Sequence, residues 1–456
     1  MQKRRLIGRC LPLLALFFLL TGCAFFSVDE LYAMPQPPQE YYALQSKMKE
    51  ITDQGGEYIA PLSGKYTQSV LLYDLDGDGV QEAITFFRFN SGETPLKIFI
   101  FKQVEDGFEI LAQIDGIGTA IDSISFENLN STPEKELIVS WQRSDKSHAL
   151  SAYSLKDGHL VELLTTNYTG FKVYDLDSDN QKEIFIVKTG MSDEADRVEL
   201  YDFQGDTMEL ISTAQLSKGI TGSVETGPVT GILRDKVPAV FVPSTYMEDG
   251  YIIDIFICRD GELKNITRDP ETGNSDGTVR WYNGVSSTDI NGDGIMELPL
   301  LAALPESKSS TGTAINFWSI SWRQYDSYGN VYPIYTTYHN ERDSWFFIMP
   351  DEWQGHIAME RKDLASGGER AVIFSYVKDA DSTPEAFLTI YMLSGSNRQV
   401  RAATSGRFSL LPDASMEDTY LYVAEFNKDC SWDCGLDEAG VIERFKLIVT
   451  KWSASS

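Results

Sequence analysis

Residues 74–82 read Asp-Leu-Asp-Gly-Asp-Gly-Val-Gln-Glu, and the same acidic pattern returns twice further along the chain. Residues 175–183 read Asp-Leu-Asp-Ser-Asp-Asn-Gln-Lys-Glu, and residues 289–297 read Asp-Ile-Asn-Gly-Asp-Gly-Ile-Met-Glu. Each copy places oxygen-bearing side chains at positions 1, 3, 5 and 9 and is followed by an apolar run. The pattern therefore predicts a bound cation and a repeated structural unit.

Two eroded copies lie between these three. Residues 128–136 keep the acid at position 9, whereas residues 231–239 keep only the strand that follows. We number the loops 1 to 5 in chain order, starting at residues 74, 128, 175, 231 and 289. Their mean step is about 54 residues, a period typical of repeat architectures.

Four short strand signals recur in each unit. In the first unit they cover 69–73, 82–89, 96–101 and 108–114, with the acidic loop between the first two. Four antiparallel strands at this period are typical of a β-propeller blade. A series of β-sandwich domains is the alternative, but each sandwich needs about 100 residues.

The loop between the first two strands resembles the FG-GAP/VCBS repeats of integrin-α-type propellers over residues 60–340. The resemblance implies a β-propeller. Propellers of this type commonly have seven blades, whereas we count five repeat units in this sequence. We thus expect a mainly β chain: a propeller at 41–340 that begins with a helix at 41–52, then a small α+β domain at 341–456. In that last domain we expect strands at 371–377, 386–393 and 419–426 and a helix at 436–449, with an opening faintly similar to the PsbP-like fold.

Calcium is the cation that these loops suit best. It takes six to eight oxygen ligands, and a left-handed residue at position 6 turns the loop so that they converge. The expected ligands are Asp74, Asp76, Asp78, the Val80 carbonyl and Glu82 in loop 1; Asp175, Asp177, Asp179, the Gln181 carbonyl and Glu183 in loop 3; and Asp289, Asn291, Asp293, the Ile295 carbonyl and Glu297 in loop 5. Loop 2 has Pro133 at position 6 and loop 4 lacks the acids, so no ion is expected in either. We expect the ions to be structural, tying each turn to its sheet.

The first residues resemble a bacterial lipoprotein signal. A basic start and an apolar run at 11–20 precede Leu-Thr-Gly-Cys, which ends at Cys23. We expect cleavage after residue 22, lipid on Cys23, a Pro-containing tether over 23–40 and an extracytoplasmic location on a membrane. The formal net charge of −28 argues against nucleic acid as a partner.

The remaining cysteines suggest a local disulfide. Cys430 and Cys434 are four residues apart and would pair in an oxidising location, with free thiols or a metal site as the alternatives. Cys258 lies in an apolar strand signal and is expected to be a buried thiol.

No catalytic constellation is recognised in the sequence. The four histidines have no metal-ligand spacing, and no nucleophile elbow is present. An aromatic-rich segment containing Trp318, Trp322 and Tyr325 either binds a glycan or protein partner or packs inside the sheets. We expect a non-enzymatic binding lipoprotein; a polysaccharide-active enzyme and an assembly subunit of an envelope complex are the alternatives.

Overall fold

The structure, a computed structural model, describes residues 42–448 with gaps at 91, 106, 146, 157, 191–194, 225–226, 281–284, 305–306, 309–313, 316, 365–367, 380–381 and 412–418. The expected signal peptide, the lipidated Cys23 and the tether lie outside the described residues. Within the described part, no helix is long and apolar enough to cross a membrane. The chain is mainly β and forms several antiparallel sheets. Of the described residues, 42–59, 69–73 and 80–115 form one compact unit and the rest form a second.

The first unit is a helix on a five-stranded sheet, sheet 1. Its elements are α1 (Tyr42–Asp53), β1 (Gly56–Tyr58), β2 (Val70–Tyr73), β3 (Glu82–Phe89), β4 (Leu96–Val104) and β5 (Gly107–Asp115). The sheet order is β1-β3-β4-β5, with β2 also pairing β3. Leu44, Met48 and Ile51 recur at helical spacing and are buried in one cluster with sheet residues such as Phe87 and Phe101. The helix expected at 41–52 is thus confirmed within one residue at each end.

The second unit begins with two four-stranded meanders and a five-stranded sheet. Sheet 2 contains β6 (Ala120–Glu127), β7 (Glu136–Ser144), β8 (Ser147–Lys156) and β9 (His159–Tyr168). Sheet 3 contains β10 (Gly170–Tyr174), β11 (Glu183–Lys188), β12 (Arg197–Gln204) and β13 (Thr207–Gln215). Sheet 4 contains β14 (Ile220–Ser223), β15 (Val229–Ile232), β16 (Pro238–Tyr246), β17 (Gly250–Arg259) and β18 (Glu262–Asn265). In sheets 2 and 3 the strands pair in chain order; in sheet 4 both β14 and β15 pair β16.

Two further sheets and a short ribbon follow. The strands up to residue 349 are β19 (Leu298–Ala303), β20 (Ser307–Lys308), β21 (Ala314–Ile315), β22 (Trp318–Tyr325), β23 (Val331–Asn340) and β24 (Trp345–Met349). The later elements are β25 (Ile357–Leu364), β26 (Glu369–Tyr376), β27 (Glu385–Leu393), α2 (Arg398–Ala402), β28 (Arg407–Ser409), β29 (Leu421–Phe426), α3 (Glu438–Arg444) and β30 (Phe445–Leu447). Sheet 5 has the order β19-β22-β23-β24-β30, sheet 6 has the order β25-β26-β27-β29-β28, and β20 pairs β21. Short 3-10 helices cover Asp276–Thr278, Glu341–Asp343 and Asp351–Trp353.

The C-terminal part differs from the sequence expectation in two places. The expected boundary at 340/341 falls inside sheet 5, because β23 pairs β24 across it and β30 then pairs β24. The helix expected at 436–449 ends at Arg444, and Phe445 begins a strand with its side chain buried. The three expected strands are present as β26, β27 and β29, but they build a sixth sheet that the count of five units did not include.

Within the second unit, neighbouring sheets share apolar cores from sheet 2 to sheet 5. Ile184 and Phe185 are neighbours on β11, so their side chains point to opposite faces of sheet 3. Ile184 belongs to a buried cluster with residues of sheet 2, and Phe185 belongs to a cluster with residues of sheet 4. Val240 and Phe241 on β16 divide in the same way, between sheet 3 and sheet 5. Sheets 3 and 4 are therefore each covered on both faces by the sheets before and after them.

Candidate metal centres

The acidic loops have the turn that the sequence predicts. Position 6 is left-handed in all three: φ is +86° at Gly79, +71° at Asn180 and +80° at Gly294. The N–H of that residue donates to the side chain at position 1, with distances of 3.1 Å to Asp74 and Asp175 and 2.8 Å to Asp289. Position 4 is also left-handed in every copy, including Ser178 at φ +68°, which the sequence did not reveal. Two left-handed residues thus wrap each loop around its own carboxylates.

Loop 3 collects four carboxylates. One oxygen each of Asp175, Asp177, Asp179 and Glu183 lies within 4.8 Å of the others. Glu183 opens β11 and is 1% exposed, and its Oε2 accepts a 2.6 Å hydrogen bond from the Leu176 N–H. Glu183 Oε1 and Asp175 Oδ1 are buried and have no hydrogen-bond partner among the described residues. Buried carboxylate oxygens need a donor or a cation, so the donor set fits a divalent metal ion.

The electrostatics of loop 3 agree with this. Burial raises the pKa of Glu183 to about 8; the Leu176 N–H opposes that effect, while Asp177, Asp202 and Asp175 add to it. Burial and the neighbouring Asp179 carboxylate also raise the pKa of Asp177. Both pKa shifts indicate that these carboxylates lie close together without a positive charge to balance them. A hard cation bound among them would supply that charge. At position 7, the Gln181 N–H donates to Asp179 Oδ1 over 2.7 Å.

In loop 1 the carboxylates at positions 1, 3 and 5 form a cluster. Asp74, Asp76 and Asp78 bring their oxygens within 4.8 Å of one another, and Asp74 Oδ1 is buried without a hydrogen-bond partner. The Asp78 N–H donates to Asp76 Oδ1 over 3.2 Å. Glu82 belongs to the first compact unit, where it begins β3 and is fully buried. Val80, at position 7, is exposed.

Loop 5 holds its acids together with an amide from another strand. Asp289, Asp293 and Glu297 cluster within 4.8 Å. The Gln324 side chain on β22 donates from Nε2 to Glu297 Oε1 at 2.7 Å and to Asp293 Oδ2 at 2.9 Å. The Ile290 N–H donates to Glu297 Oε2, and the Ile295 N–H to Asp293 Oδ1. Asn291 also contributes its amide, with Nδ2 donating to Asp293 Oδ2 at 3.0 Å.

Loop 2, where no ion is expected, uses its own side chains in the same place. Glu136 is fully buried, and its Oε2 accepts from the Leu129 N–H at 2.8 Å. Its Oε1 accepts from Asn130 Nδ2 at 2.9 Å and from the Ser154 hydroxyl at 3.3 Å. Asn130 stands at position 3, where loop 3 has Asp177. An amide N–H at position 3 therefore compensates the buried acid that loop 3 leaves open to a cation.

Loop 4 keeps a single acid, Asp235 at position 5, whose carboxylate accepts hydrogen bonds from the Ser327 N–H and hydroxyl. The Leu233 N–H donates to the Val237 carbonyl at 2.9 Å, and Lys236 is left-handed at φ +67°. Leu233 is fully buried in the cluster between sheets 4 and 5. The strand that follows the loop is therefore kept after the ligands are gone.

Backbone hydrogen bonds connect successive loops within the second unit. The Lys135 N–H of loop 2 donates to the Leu75 carbonyl of loop 1 at 2.9 Å, and the Lys182 N–H of loop 3 donates to the Asn128 carbonyl of loop 2 at 3.2 Å. The Met296 N–H of loop 5 donates to the Ile232 carbonyl of loop 4 at 3.0 Å. The donor stands at position 8 each time, a role that no side-chain pattern reveals.

The aromatic segment is mostly core. Trp322 is fully buried and its Nε1 donates to Thr337 Oγ1 at 2.8 Å, while Tyr325 is 3% exposed and packs in the cluster between sheets 4 and 5. Of the two alternatives given for this segment, packing inside the sheets is the one observed for Trp322 and Tyr325. Trp318 is only partly buried and lines a cavity of about 360 Å³ together with Tyr338 and His339.

The expected disulfide is not formed. Cys430 and Cys434 are both free thiols: Cys430 Sγ lies 3.8 Å from the Glu385 carbonyl, and Cys434 Sγ lies 3.8 Å from the Leu436 carbonyl. The two sulfurs are thus directed to different neighbours. Cys258 is buried as expected, and burial raises the pKa of its thiol to about 11.

A larger cavity, of about 800 Å³, lies where the strands that lead into loops 2, 3 and 4 meet. Its wall is formed by β6, β10 and β15, by Ile138 and Ser140 of β7 and by the segment at 64–66. Two aromatic side chains of this wall, Tyr66 and Phe126, meet edge to face with ring centroids 5.1 Å apart. We call this the inner-strand cavity. Its volume is in the range of small-molecule sites, and nothing in the sequence pattern located it.

No protein-family model matches the chain, and no curated protein sequence matches it significantly. Among solved structures, it is similar to the exotype rhamnogalacturonan lyase YesX at TM-score 0.31 and 13% identity, over 72% of this chain and 73% of that one. It is similar to the Bacillus licheniformis rhamnogalacturonan lyase PL11 at TM-score 0.29 and 15% identity, over 69% and 59%. It is also similar to the Pseudomonas aeruginosa periplasmic gluconolactonase PpgL at TM-score 0.25 and 9% identity, over 69% and 92%. At TM-scores this low we infer no activity from them.

Proposed function

We propose that this protein is a calcium-stabilised β-propeller of the FG-GAP/VCBS type that binds a glycan or a protein partner and is not an enzyme. Lipid on Cys23 would hold it on the extracytoplasmic side of a bacterial membrane. The anchor rests on the sequence of residues 1–23 alone.

The inner-strand cavity carries the proposal. The first strand of a propeller blade lies next to the central axis, so first strands of successive blades share one space there. Here β6, β10 and β15, the strands that lead into loops 2, 3 and 4, line one cavity. The shared cores between consecutive sheets and the backbone bonds between loops 1 and 2, 2 and 3, and 4 and 5 support the same arrangement. A cavity on such an axis is a natural place for a ligand.

Calcium is the ion proposed for the acidic loops. The support is the oxygen-only donor set and, in loop 3, two buried carboxylate oxygens without partners. Calcium would offset part of the negative charge of the four loop 3 carboxylates and so attach the loop to the start of β11. The position of Glu183 does not depend on the ion, because its carboxylate already accepts a hydrogen bond from the Leu176 N–H.

The proposal is tested with the full-length lipidated protein. A membrane pull-down and a glycan array together distinguish the roles: a glycan hit without turnover of the bound sugar supports the binding role. Turnover of that sugar supports a polysaccharide-active enzyme instead. A stable set of envelope proteins without any glycan hit supports an assembly subunit. Cys23→Ala should release the protein from membranes, and retention of this variant would contradict the lipid anchor.

A further inference from the structure

The inner-strand cavity contains an ammonium group without a counter-ion. Lys172 lies on β10, half-buried, and among the described residues no carboxylate forms an ion pair with it. Burial lowers the pKa of its amine, with no neighbouring charge opposing that effect. A desolvated cation of this kind gains most from an anionic ligand.

The other charges around the cavity do not neutralise Lys172. Glu127 is the carboxylate in the wall, and it is paired with Lys182 over 2.7 Å. Asp122, beside the wall, accepts a 3.0 Å hydrogen bond from the buried Ser140 hydroxyl. Lys65 adds a second positive charge, with its ammonium 5.1 Å from the centre of the Tyr66 ring. The side chains that line the cavity thus include two lysines and one carboxylate, in a chain of net charge −28.

The rest of the wall combines hydroxyls with aromatic rings. Ser123, Ser125 and Thr230 contribute three hydroxyl groups to the cavity wall. Tyr66, Phe126 and Phe171 supply aromatic surface to the same space. A sugar ring presents hydroxyls at its edge and C–H groups on its face, which match hydroxyl and aromatic partners respectively.

We propose that the inner-strand cavity binds a uronate-type sugar, with the carboxylate paired to the Lys172 ammonium and the ring against the Tyr66 and Phe126 side chains. The inference rests on the proposed binding function and names its ligand class. An acidic peptide would satisfy the ammonium, but it would leave the three hydroxyls without a matching set of ring hydroxyls.

The experiment measures binding by titration calorimetry on the full-length protein in detergent. The probes are tetragalacturonate, tetramannuronate and a hyaluronan tetrasaccharide, each compared with its methyl ester, and tetraglutamate. We expect at least one uronate to bind and its ester to bind at least tenfold more weakly. Lys172→Met should weaken binding of that uronate at least tenfold, and Lys172→Arg should restore most of it.

Lys264→Met is the matched control, because Lys264 is a partly exposed lysine on β18 outside the cavity. It should bind the uronate as the wild type does, and equal melting temperatures of all variants show that they fold. Equal affinity for acid and ester, an unaffected Lys172→Met, or stronger binding of tetraglutamate would overturn the inference. Failure of every uronate to bind would also overturn it, whereas a glycan or protein captured in the membrane experiment would leave the binding role standing.

Discussion

Glu136, Glu183 and Glu297 stand at the same position of three loops, and each is buried with a different arrangement around its second oxygen. The Oε2 atom always accepts the N–H of position 2. The Oε1 atom meets Asn130 in loop 2 and Gln324 in loop 5, but no donor in loop 3. The acid at position 9 could be predicted from the sequence because it recurs. Its backbone partner could not, since it depends on the fold of the loop.

His339 gives the clearest pH effect at the residue scale. It lies stacked on Phe346, with ring centroids 5.1 Å apart, and burial lowers its pKa from 6.5 to about 4. Because the unfolded chain binds this proton more readily, the contribution of His339 to stability is complete above about pH 6.5 and is lost as the pH falls through 4. The shift corresponds to about 3 kcal/mol.

We therefore expect the free energy of unfolding of the wild type to fall more steeply between pH 6.5 and 4 than that of His339→Gln. Urea unfolding at several pH values measures this difference. His159→Gln is the control, because His159 is exposed and should leave the pH dependence unchanged. Parallel curves for wild type and His339→Gln would contradict the prediction.

At the scale of elements, features that depend on local sequence could be predicted, whereas features that depend on pairing between distant segments could not. The sequence places β3 at its observed bounds, 82–89, because turn residues interrupt the apolar run on both sides. The left-handed position 6 follows from Gly and Asn. The pairing of β24 with β30 joins segments about 100 residues apart, and the burial of Trp322 depends on the sheet around it. Neither leaves a local pattern in the sequence.

Loops 2 and 3 predict opposite responses to calcium when position 3 is shortened. Asn130→Ala removes the amide from the buried Glu136, so it should lower the free energy of unfolding by about 1–3 kcal/mol. The loss should be equal with calcium and with EDTA. Asp177→Ala removes a calcium ligand and also one carboxylate from a repelling group. It should destabilise the protein in calcium and leave it unchanged or more stable in EDTA.

Thermal unfolding of both variants in the two buffers measures this. Each variant is the control for the other, since the same position is shortened to the same residue. A calcium-dependent loss for Asn130→Ala, or a loss for Asp177→Ala that is equal in both buffers, would contradict the assignment of the ion to loop 3.

At the scale of the whole molecule, the described part of the chain contains six sheets of four or five strands and one two-stranded ribbon. Sheets 3 and 4 have both faces covered by neighbouring sheets, so their strands β11 and β16 contain almost continuous apolar runs. The five-unit count came from the acidic loops. It missed sheet 6, since no loop of that kind precedes β26.

Calcium should raise the stability of the whole protein. An ion that binds only the folded state adds about 2.7 kcal/mol per site at a concentration 100 times its dissociation constant. We expect EDTA to lower the melting temperature and excess calcium to restore it, as measured by calorimetry. Magnesium at the same concentration should restore less, because it retains its water ligands. An unchanged melting temperature in EDTA would remove the structural role proposed for the ions.

The pairing of β30 with β24 has a consequence for the newborn polypeptide. Strand β24 is made about 100 residues before its partner β30, so one backbone edge of β24 remains unpaired until residues 445–447 have been made. A nascent or prematurely terminated chain that lacks residues 445–447 presents that edge to other chains. Such a chain is prone to strand exchange and aggregation. Pairing of the three residues of β30 with β24 protects this edge from other chains.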